Sequence, residues 1–103
     1  MKKRIYLDKQ AKKELRQFPE KVQIKFEAYI IRLRQQGKLE FPESKKINNK
    51  LFELRVKIKN TYRGFYTYLG KTYIIILHFF KKKAQKTPLK NLKTAQRRLR
   101  QYE

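Results

Sequence analysis

The sequence predicts an α+β fold in which a helical hairpin comes first, an antiparallel sheet of about four strands follows, and one helix ends the chain. Three observations lead to this prediction. Apolar residues recur at helical spacing before Gly37, three segments rich in Phe, Tyr, Val and Ile follow between Leu51 and Phe80, and a second helical stripe begins at Leu89. Because 103 residues suffice for one core, we expect residues 1–103 to form a single domain.

The first 37 residues predict two consecutive helices. Ile5 to Leu7 could form a short first strand, after which Asp8 is a good N-cap for a helix over residues 8–17. Pro19 suits the first turn of a second helix, and Gly37 is its natural C-terminal stop. The apolar stripes of the two helices are Ala11, Leu15 and Phe18, then Val22, Phe26, Tyr29, Ile30 and Leu33.

Residues 39–50 show no clear hydrophobic period. We interpret them as a loop across the sheet edge, with a short strand at Leu39 to Phe41 as the alternative.

Three strands, Leu51 to Ile58, Tyr62 to Leu69 and Thr72 to Phe80, then form an antiparallel meander with turns at residues 59–61 and 70–71. The first alternates between a core face and a charged, accessible face that carries Glu53, Arg55 and Lys57. The third is apolar on both faces, which predicts a central position in the sheet.

The last helix is predicted to begin at a Thr87 N-cap followed by Pro88. Its apolar stripe is Leu89, Leu92, Ala95, Leu99 and Tyr102.

The charge of the chain favours a polyanionic partner. Lys and Arg number 29 against 8 Asp and Glu, which gives a net charge of +21. RNA, DNA or the ribosome would release counterions on binding such a protein, and an anionic membrane surface is a weaker candidate. The longest apolar run, Tyr73 to Leu77, is too short to span a bilayer and no secretory signal precedes it, so we expect a cytoplasmic protein.

The inventory of reactive side chains restricts the chemistry. The chain has no cysteine, one histidine (His78) and one aspartate (Asp8), so neither thiolate chemistry nor a zinc site is expected. Few carboxylates are available, which argues against glycosidase, protease and two-metal nuclease mechanisms. Metal-free RNA cleavage remains open, because the attacking group is then the 2′-hydroxyl of the substrate.

Each candidate residue also has a structural alternative. Arg55 and Arg63 could clamp a phosphate, or they could be solvent-exposed cations paired with Glu53. His78 could transfer a proton, or it could be a buried structural histidine. The lysines at the end of the third strand could bind an anion or simply form a solvated turn; they are Lys81, Lys82, Lys83 and Lys86. Aromatic side chains could stack on bases, although core packing is the simpler expectation for Tyr62, Tyr66, Tyr68 and Phe80.

Three blocks of sequence together resemble the HigB-like branch of the RelE/ParE toxin superfamily. They are a Glu-Leu-Arg strand at Leu51 to Arg55, a Tyr-Arg strand at Tyr62 to Tyr66, and a segment from Leu77 to Pro88 in which His78 precedes a lysine-rich ending. With the helical hairpin, the resemblance covers nearly the whole chain. It implies that the hairpin packs on a curved antiparallel sheet with a C-terminal helix.

The resemblance also implies a function. It is that of a type II toxin that cleaves mRNA in the ribosomal decoding site with no metal or cofactor. The implied partners are the ribosome with its mRNA and a cognate antitoxin, usually a small helix-turn-helix protein like HigA. Operator DNA is an indirect partner through the antitoxin complex, and no membrane is involved.

Roles for individual residues follow from the same resemblance. Arg55 and Arg63 would bind and polarise the scissile phosphate, and His78 or Lys83 would transfer the proton. Contacts to RNA or the ribosome would come from Lys57, Lys81, Lys82, Gln85 and Lys86. Tyr102, near the end of the chain, could supply either packing or proton transfer.

Two other functions remain open at this point. A ParE-like inhibitor would bind DNA gyrase on the same scaffold and cleave nothing, and a basic module would bind RNA or the ribosome without activity. The histidine and the lysine-rich ending favour the nuclease over the gyrase inhibitor.

Overall fold

The computed structural model describes residues 2–82 and 89–103. Within these residues, three helices combine with a five-stranded sheet of order β1-β5-β4-β3-β2. The pair β1–β5 is parallel and the other neighbouring pairs are antiparallel. The elements in chain order are β1 (Arg4–Leu7), α1 (Lys9–Arg16), α2 (Glu20–Gln36), β2 (Ser44–Lys46), β3 (Phe52–Ile58), β4 (Asn60–Leu69), β5 (Tyr73–Lys82) and α3 (Leu89–Leu99).

The α+β class is confirmed, but the predicted helix-first, four-stranded antiparallel arrangement is wrong in detail. The chain begins with β1, which pairs in parallel with β5 so that Ile5 lies opposite Ile74 and Leu7 opposite Ile76. A parallel pair needs a long crossover between its strands, and no local pattern reveals such a partner. The fifth strand, β2, lies in the segment that was predicted to be a loop, whereas residues 39–41 form no strand.

The helix boundaries follow from local chemistry. The carboxylate of Asp8 accepts hydrogen bonds from the backbone N–H groups of Gln10 and Ala11, which confirms it as the N-cap of α1. Pro19 is the N-cap of α2 instead of its first helical residue. Gly37 ends α2 in the left-handed conformation at φ 80°, which glycine adopts without a steric penalty.

The helices cover the two faces of the sheet separately. Side chains from α1 and α2, including Phe26 and Leu33, pack with Leu54, Ile76 and Phe79 on one face. Side chains from α3 pack on the other face, and the described core there consists of Leu51, Phe65, Ile75, Leu77, Phe80, Ala95 and Leu99. The strand β5 lies inside the sheet, between β1 and β4, and is covered on both sides, as predicted.

A tight turn and a bulge set the register of the central strands. Lys59 takes a positive φ of 62° between β3 and β4, and Val56 then lies opposite Tyr62. Along β4 and β5, Phe65 is opposite His78, but Tyr66 is opposite Ile76. The extra residue at this β-bulge changes which side chains of β5 share a face with β4.

The C-terminal helix departs from its predicted stripe at both ends, because it ends at Leu99 and Tyr102, which is 38% exposed, lies beyond it. Ala95 and Leu99 are buried, whereas Leu89 is 70% exposed. The predicted cap at Thr87 and Pro88 lies outside the described residues. None of the helices in the described part of the chain is long and apolar enough to cross a membrane.

Candidate functional site

Arg55 and Arg63 lie directly opposite each other on β3 and β4. Their side chains therefore share one face of the sheet and line the same cleft, whose volume is about 590 Å³. The cleft is bordered by the ends of β3, β4 and β5, by α2 and by the residues before β2; its lining residues are Lys25, Tyr29, Pro42, Glu43, Arg55, Val56, Lys57, Thr61, Arg63 and Lys82.

Glu53 lies beneath the two arginines and is fully buried, so the prediction that it occupies an accessible position is wrong. Nη1 of Arg63 donates to both of its carboxylate oxygens at 2.8 Å. Nε of Arg55 lies 3.3 Å from Oε1 of the same carboxylate. The predicted pairing with Glu53 therefore holds for both arginines, but Arg63 is buried and only Arg55 remains about one third exposed.

Lys82 adds a third cation at the same point of the sheet. It is opposite Thr61 on β4 and lines the cleft with the arginines. Desolvation and the positive charges of Arg63 and Arg55 lower the pKa of Lys82, while the carboxylate of Glu53 opposes this shift. A lysine in such surroundings loses its proton more readily than one in water.

The other predicted cations are distributed unequally. Lys57 is exposed and lines the cleft. Lys81 is exposed but opposite Tyr62, so its side chain lies on the other face of the sheet from Lys82. Lys83, Gln85 and Lys86 lie outside the described residues.

His78 is not among the residues that line the cleft. It is 7% exposed, and its ring stacks on Phe80 with centroids 5.3 Å apart. Its Nδ1 lies 2.9 Å from Oε1 of Glu14, and its Nε2 lies 2.7 Å from Oδ1 of Asn91. Both ring nitrogens are thus engaged by α1 and α3, which is the geometry of a structural histidine.

Glu14 is the centre of the group around His78. Burial raises the pKa of its carboxyl group, but hydrogen bonds from His78 and Arg98 outweigh the burial and lower this pKa to about 2. The backbone N–H of Phe79 donates to the same carboxylate at 3.1 Å. Glu14 is therefore ionised at neutral pH and joins α1, β5 and α3.

The aromatic side chains that could have stacked on bases mostly belong to the core. Tyr62, Tyr66 and Phe80 are each at most 7% exposed, and the hydroxyl of Tyr68 donates to the carbonyl of Gly37. Tyr29 of α2 lines the cleft instead.

Tyr102 lies away from the cleft, in a separate groove with Tyr6 and Tyr73. Its hydroxyl donates to Oδ2 of Asp8 at 2.7 Å. Burial and this contact raise the pKa of Tyr102 to about 12, so the residue joins the chain end to α1.

Several lining residues were not anticipated from the sequence. Lys25 and Tyr29 come from α2, and Glu43 comes from the segment before β2. Tyr29 belongs to a helical stripe and Lys25 to the polar positions beside it, so neither shows a functional signal. Glu53 does not line the cleft, but its pairing with the arginines had a sequence signal, because it is two residues from Arg55 and strand residues at that spacing share a face.

The cleft is suited to bind an anion. Among the residues that the structure describes, five cations line it, namely Lys25, Arg55, Lys57, Arg63 and Lys82, and only the carboxylates of Glu43 and Glu53 oppose them. Guanidinium groups held on neighbouring strands match the oxygen atoms of a phosphate group.

Comparisons with known proteins place the chain in a family. A model of the family described as "Phage derived protein Gp49-like (DUF891)" matches residues 13–100, and the chain therefore belongs to the Gp49-like family. Among solved structures, it is similar to a double arginine-to-alanine mutant of the Escherichia coli toxin RelE in the free state. The two chains superpose with a TM-score of 0.70 over 100% of each, at 13% sequence identity, so they share the fold. No curated protein matches the chain in sequence.

Proposed function

We propose that this protein is the toxin of a toxin–antitoxin system, of the HigB-like kind, and that it cleaves mRNA at the ribosome without a metal ion. The observation that carries the proposal is the cross-strand position of Arg55 and Arg63 in a positive cleft that also contains Lys57 and Lys82. The fold shared with RelE and the sequence blocks described above support the same class of protein.

In this proposal the cleft holds the scissile phosphate of an RNA strand. The 2′-oxygen of the preceding ribose forms a bond to phosphorus, and the bond from phosphorus to the 5′-oxygen breaks. The 2′-hydroxyl loses its proton to a base, and the departing 5′-oxygen receives a proton. Arg55 and Arg63 stabilise the negative charge that accumulates on the phosphate oxygens during these changes.

A proton-transfer group is needed near that phosphate. Lys82 is the described residue best placed for this role, because it lines the cleft and has a lowered pKa. Lys83 is retained as a second candidate from the sequence. His78 is the weaker choice, because both of its ring nitrogens are engaged by Glu14 and Asn91.

The proposed partners follow from charge. A net charge of +21 favours attachment to ribosomal RNA, and it also favours an acidic antitoxin that neutralises the protein. A helix-turn-helix antitoxin would connect the toxin to operator DNA.

The decisive experiment is induced expression combined with primer extension on a translated mRNA. Wild-type protein should stop growth and produce new 5′ ends only in messages that are being translated. Arg55→Ala should reduce the cleavage rate by roughly 10²–10³-fold, the usual effect of removing one charge-stabilising donor. Arg97→Ala is the matched control, because Arg97 is exposed on α3 and does not line the cleft.

Two outcomes would contradict the proposal. Inhibition of DNA supercoiling without new RNA ends would identify a gyrase inhibitor on this scaffold. RNA binding that Arg55→Ala weakens only modestly, with no growth arrest from wild type, would identify a basic binding module.

A further inference from the structure

We infer that Glu53 is the positioning residue of the cleft: its buried carboxylate fixes Arg55 and Arg63 in the arrangement that clamps one phosphodiester group. The inference rests on the proposed function in naming RNA phosphate as the anion, but the role of Glu53 concerns the cleft itself.

The two arginines would not adopt this arrangement unaided. Like charges directly opposite each other on neighbouring strands repel, and Arg55 and Arg63 occupy such a pair. Glu53 is two residues before Arg55 on the same face and is opposite Phe65, so it is the diagonal neighbour of Arg63. Its single carboxylate contacts both guanidinium groups and offsets their repulsion.

The contacts determine which N–H groups remain for a ligand. Nη1 of Arg63 and Nε of Arg55 face Glu53. The other terminal nitrogens, Nη2 of Arg63 and both of Arg55, make no hydrogen bond to the part of the chain that the structure describes. They are the donors that an anion in the cleft can use.

One detail shows that Glu53 dictates the orientation of Arg63. A guanidinium group usually meets a carboxylate through two nitrogens in a fork. Here both oxygens of Glu53 accept from Nη1 alone, and Nε of Arg63 is buried without a hydrogen-bond partner among the described residues. Sharing the carboxylate with Arg55 leaves this donor without a partner in the described part of the chain, which is unfavourable in itself.

Glu53 does not act on the substrate directly. Its side chain has no exposed surface, and both oxygens already accept hydrogen bonds from Arg63. A 2′-hydroxyl group therefore has no route to it, and its influence passes through the two arginines.

The test compares Glu53→Gln with Glu40→Gln. Glu40 is exposed, with a side chain 78% accessible, and does not line the cleft, so both variants add the same charge but only the first alters the cleft. The probe is a short 2′-O-methyl oligoribonucleotide, which binds but cannot be cleaved. Charge alone predicts that both variants bind it slightly more tightly. Positioning predicts that Glu53→Gln binds about tenfold more weakly, with a salt slope reduced by about one.

A second pair of variants guards against loss of the fold in Glu53→Gln. Glu53→Asp keeps the charge but shortens the side chain, and Arg55→Lys keeps the charge but removes the planar fork. The double variant combines Glu53→Asp with Arg55→Lys. If Glu53 acts through Arg55, this double variant should bind the probe about as weakly as the weaker single variant, whereas independent roles would make the two losses of affinity multiply. Circular dichroism on each variant confirms that it is folded.

The outcomes separate this inference from the proposed function. If wild type cleaves no mRNA but the Glu53 variants still lose probe binding, the proposed activity fails and the positioning role stands. Three results would each overturn the inference. Glu53→Gln could bind the probe as tightly as wild type or more tightly, the losses of the two single variants could multiply in the double variant, or wild type could fail to bind the probe.

Discussion

Arg98 of α3 reaches Glu14 of α1 through two parallel hydrogen bonds, from Nη1 to Oε1 at 2.8 Å and from Nη2 to Oε2 at 2.9 Å. Nη1 of Arg98 also donates to the carbonyl of Leu77 on β5. This contact lies just past Ile76, where β1 stops pairing with β5. The carboxylate of Glu14 thus accepts the hydrogen bond from the backbone N–H of Phe79 that a neighbouring strand would otherwise accept. It also joins α1 to α3, which cover opposite faces of the sheet.

Replacing Glu14 with Gln should destabilise the protein. The amide keeps the shape of the side chain but leaves Arg98 and His78 without their anionic partner in a half-buried site. We expect the free energy of unfolding to fall by about 2 kcal/mol, measured by urea denaturation. Glu27→Gln on the exposed face of α2 is the matched control and should change it by less than about 0.5 kcal/mol. An equal effect of both variants would contradict the role of Glu14.

Glu14 should also make the stability of the protein depend on pH in the acid range. The pKa of Glu14 is about 2 in the folded protein against an ordinary value of 4.5, so the unfolded chain binds this proton at a higher pH than the folded chain does. Stability from this group is complete above about pH 5 and is lost as the pH falls towards 2, by up to about 3 kcal/mol. Urea denaturation at several pH values should show this loss in wild type and a smaller one in Glu14→Gln. Parallel curves for the two proteins would refute the assignment.

Local pattern was enough to predict most of the elements. The sequence predicts the helix N-cap at Asp8, the helix end at Gly37 and the alternating strands, because such features depend on neighbouring residues. Pairing between distant segments could not, and for this reason the sequence indicates a possible strand at Ile5 to Leu7 but not its place beside β5. The site shows the same division: Arg55 and Arg63 were found on their strands, but Tyr29 and Glu43 enter the cleft only through tertiary packing.

Gly64 is expected to tolerate no side chain. A Cβ atom placed there would lie 2.8 Å from two ring atoms of Phe79. That ring cannot move easily, because it is buried and packs against Phe18 and Phe26. Gly64→Ala should therefore lower the free energy of unfolding by about 1–3 kcal/mol through overpacking, measured by urea denaturation. Gly70→Ala is a useful contrast, since a Cβ there meets nothing within 4 Å and only the positive φ of 62° opposes it. A smaller loss at Gly64 than at Gly70 would contradict the packing argument.

Replacing Arg63 should destabilise the protein more than replacing Arg55, although the two arginines line the same cleft. Arg63→Ala removes the donor of both hydrogen bonds to Glu53 and leaves this buried carboxylate with Arg55 alone, and removal of one partner from a buried ion pair typically costs about 3–5 kcal/mol. Arg55→Ala removes a side chain that is about one third exposed and should cost about 1 kcal/mol or less, because Arg63 still pairs with the carboxylate. Thermal and urea unfolding of the two variants provide the comparison. Loss of activity in Arg63→Ala would then reflect unfolding as well as chemistry, whereas loss in Arg55→Ala would report on the phosphate clamp alone. Equal destabilisation by the two variants would show that Glu53 does not distinguish the arginines as the geometry indicates.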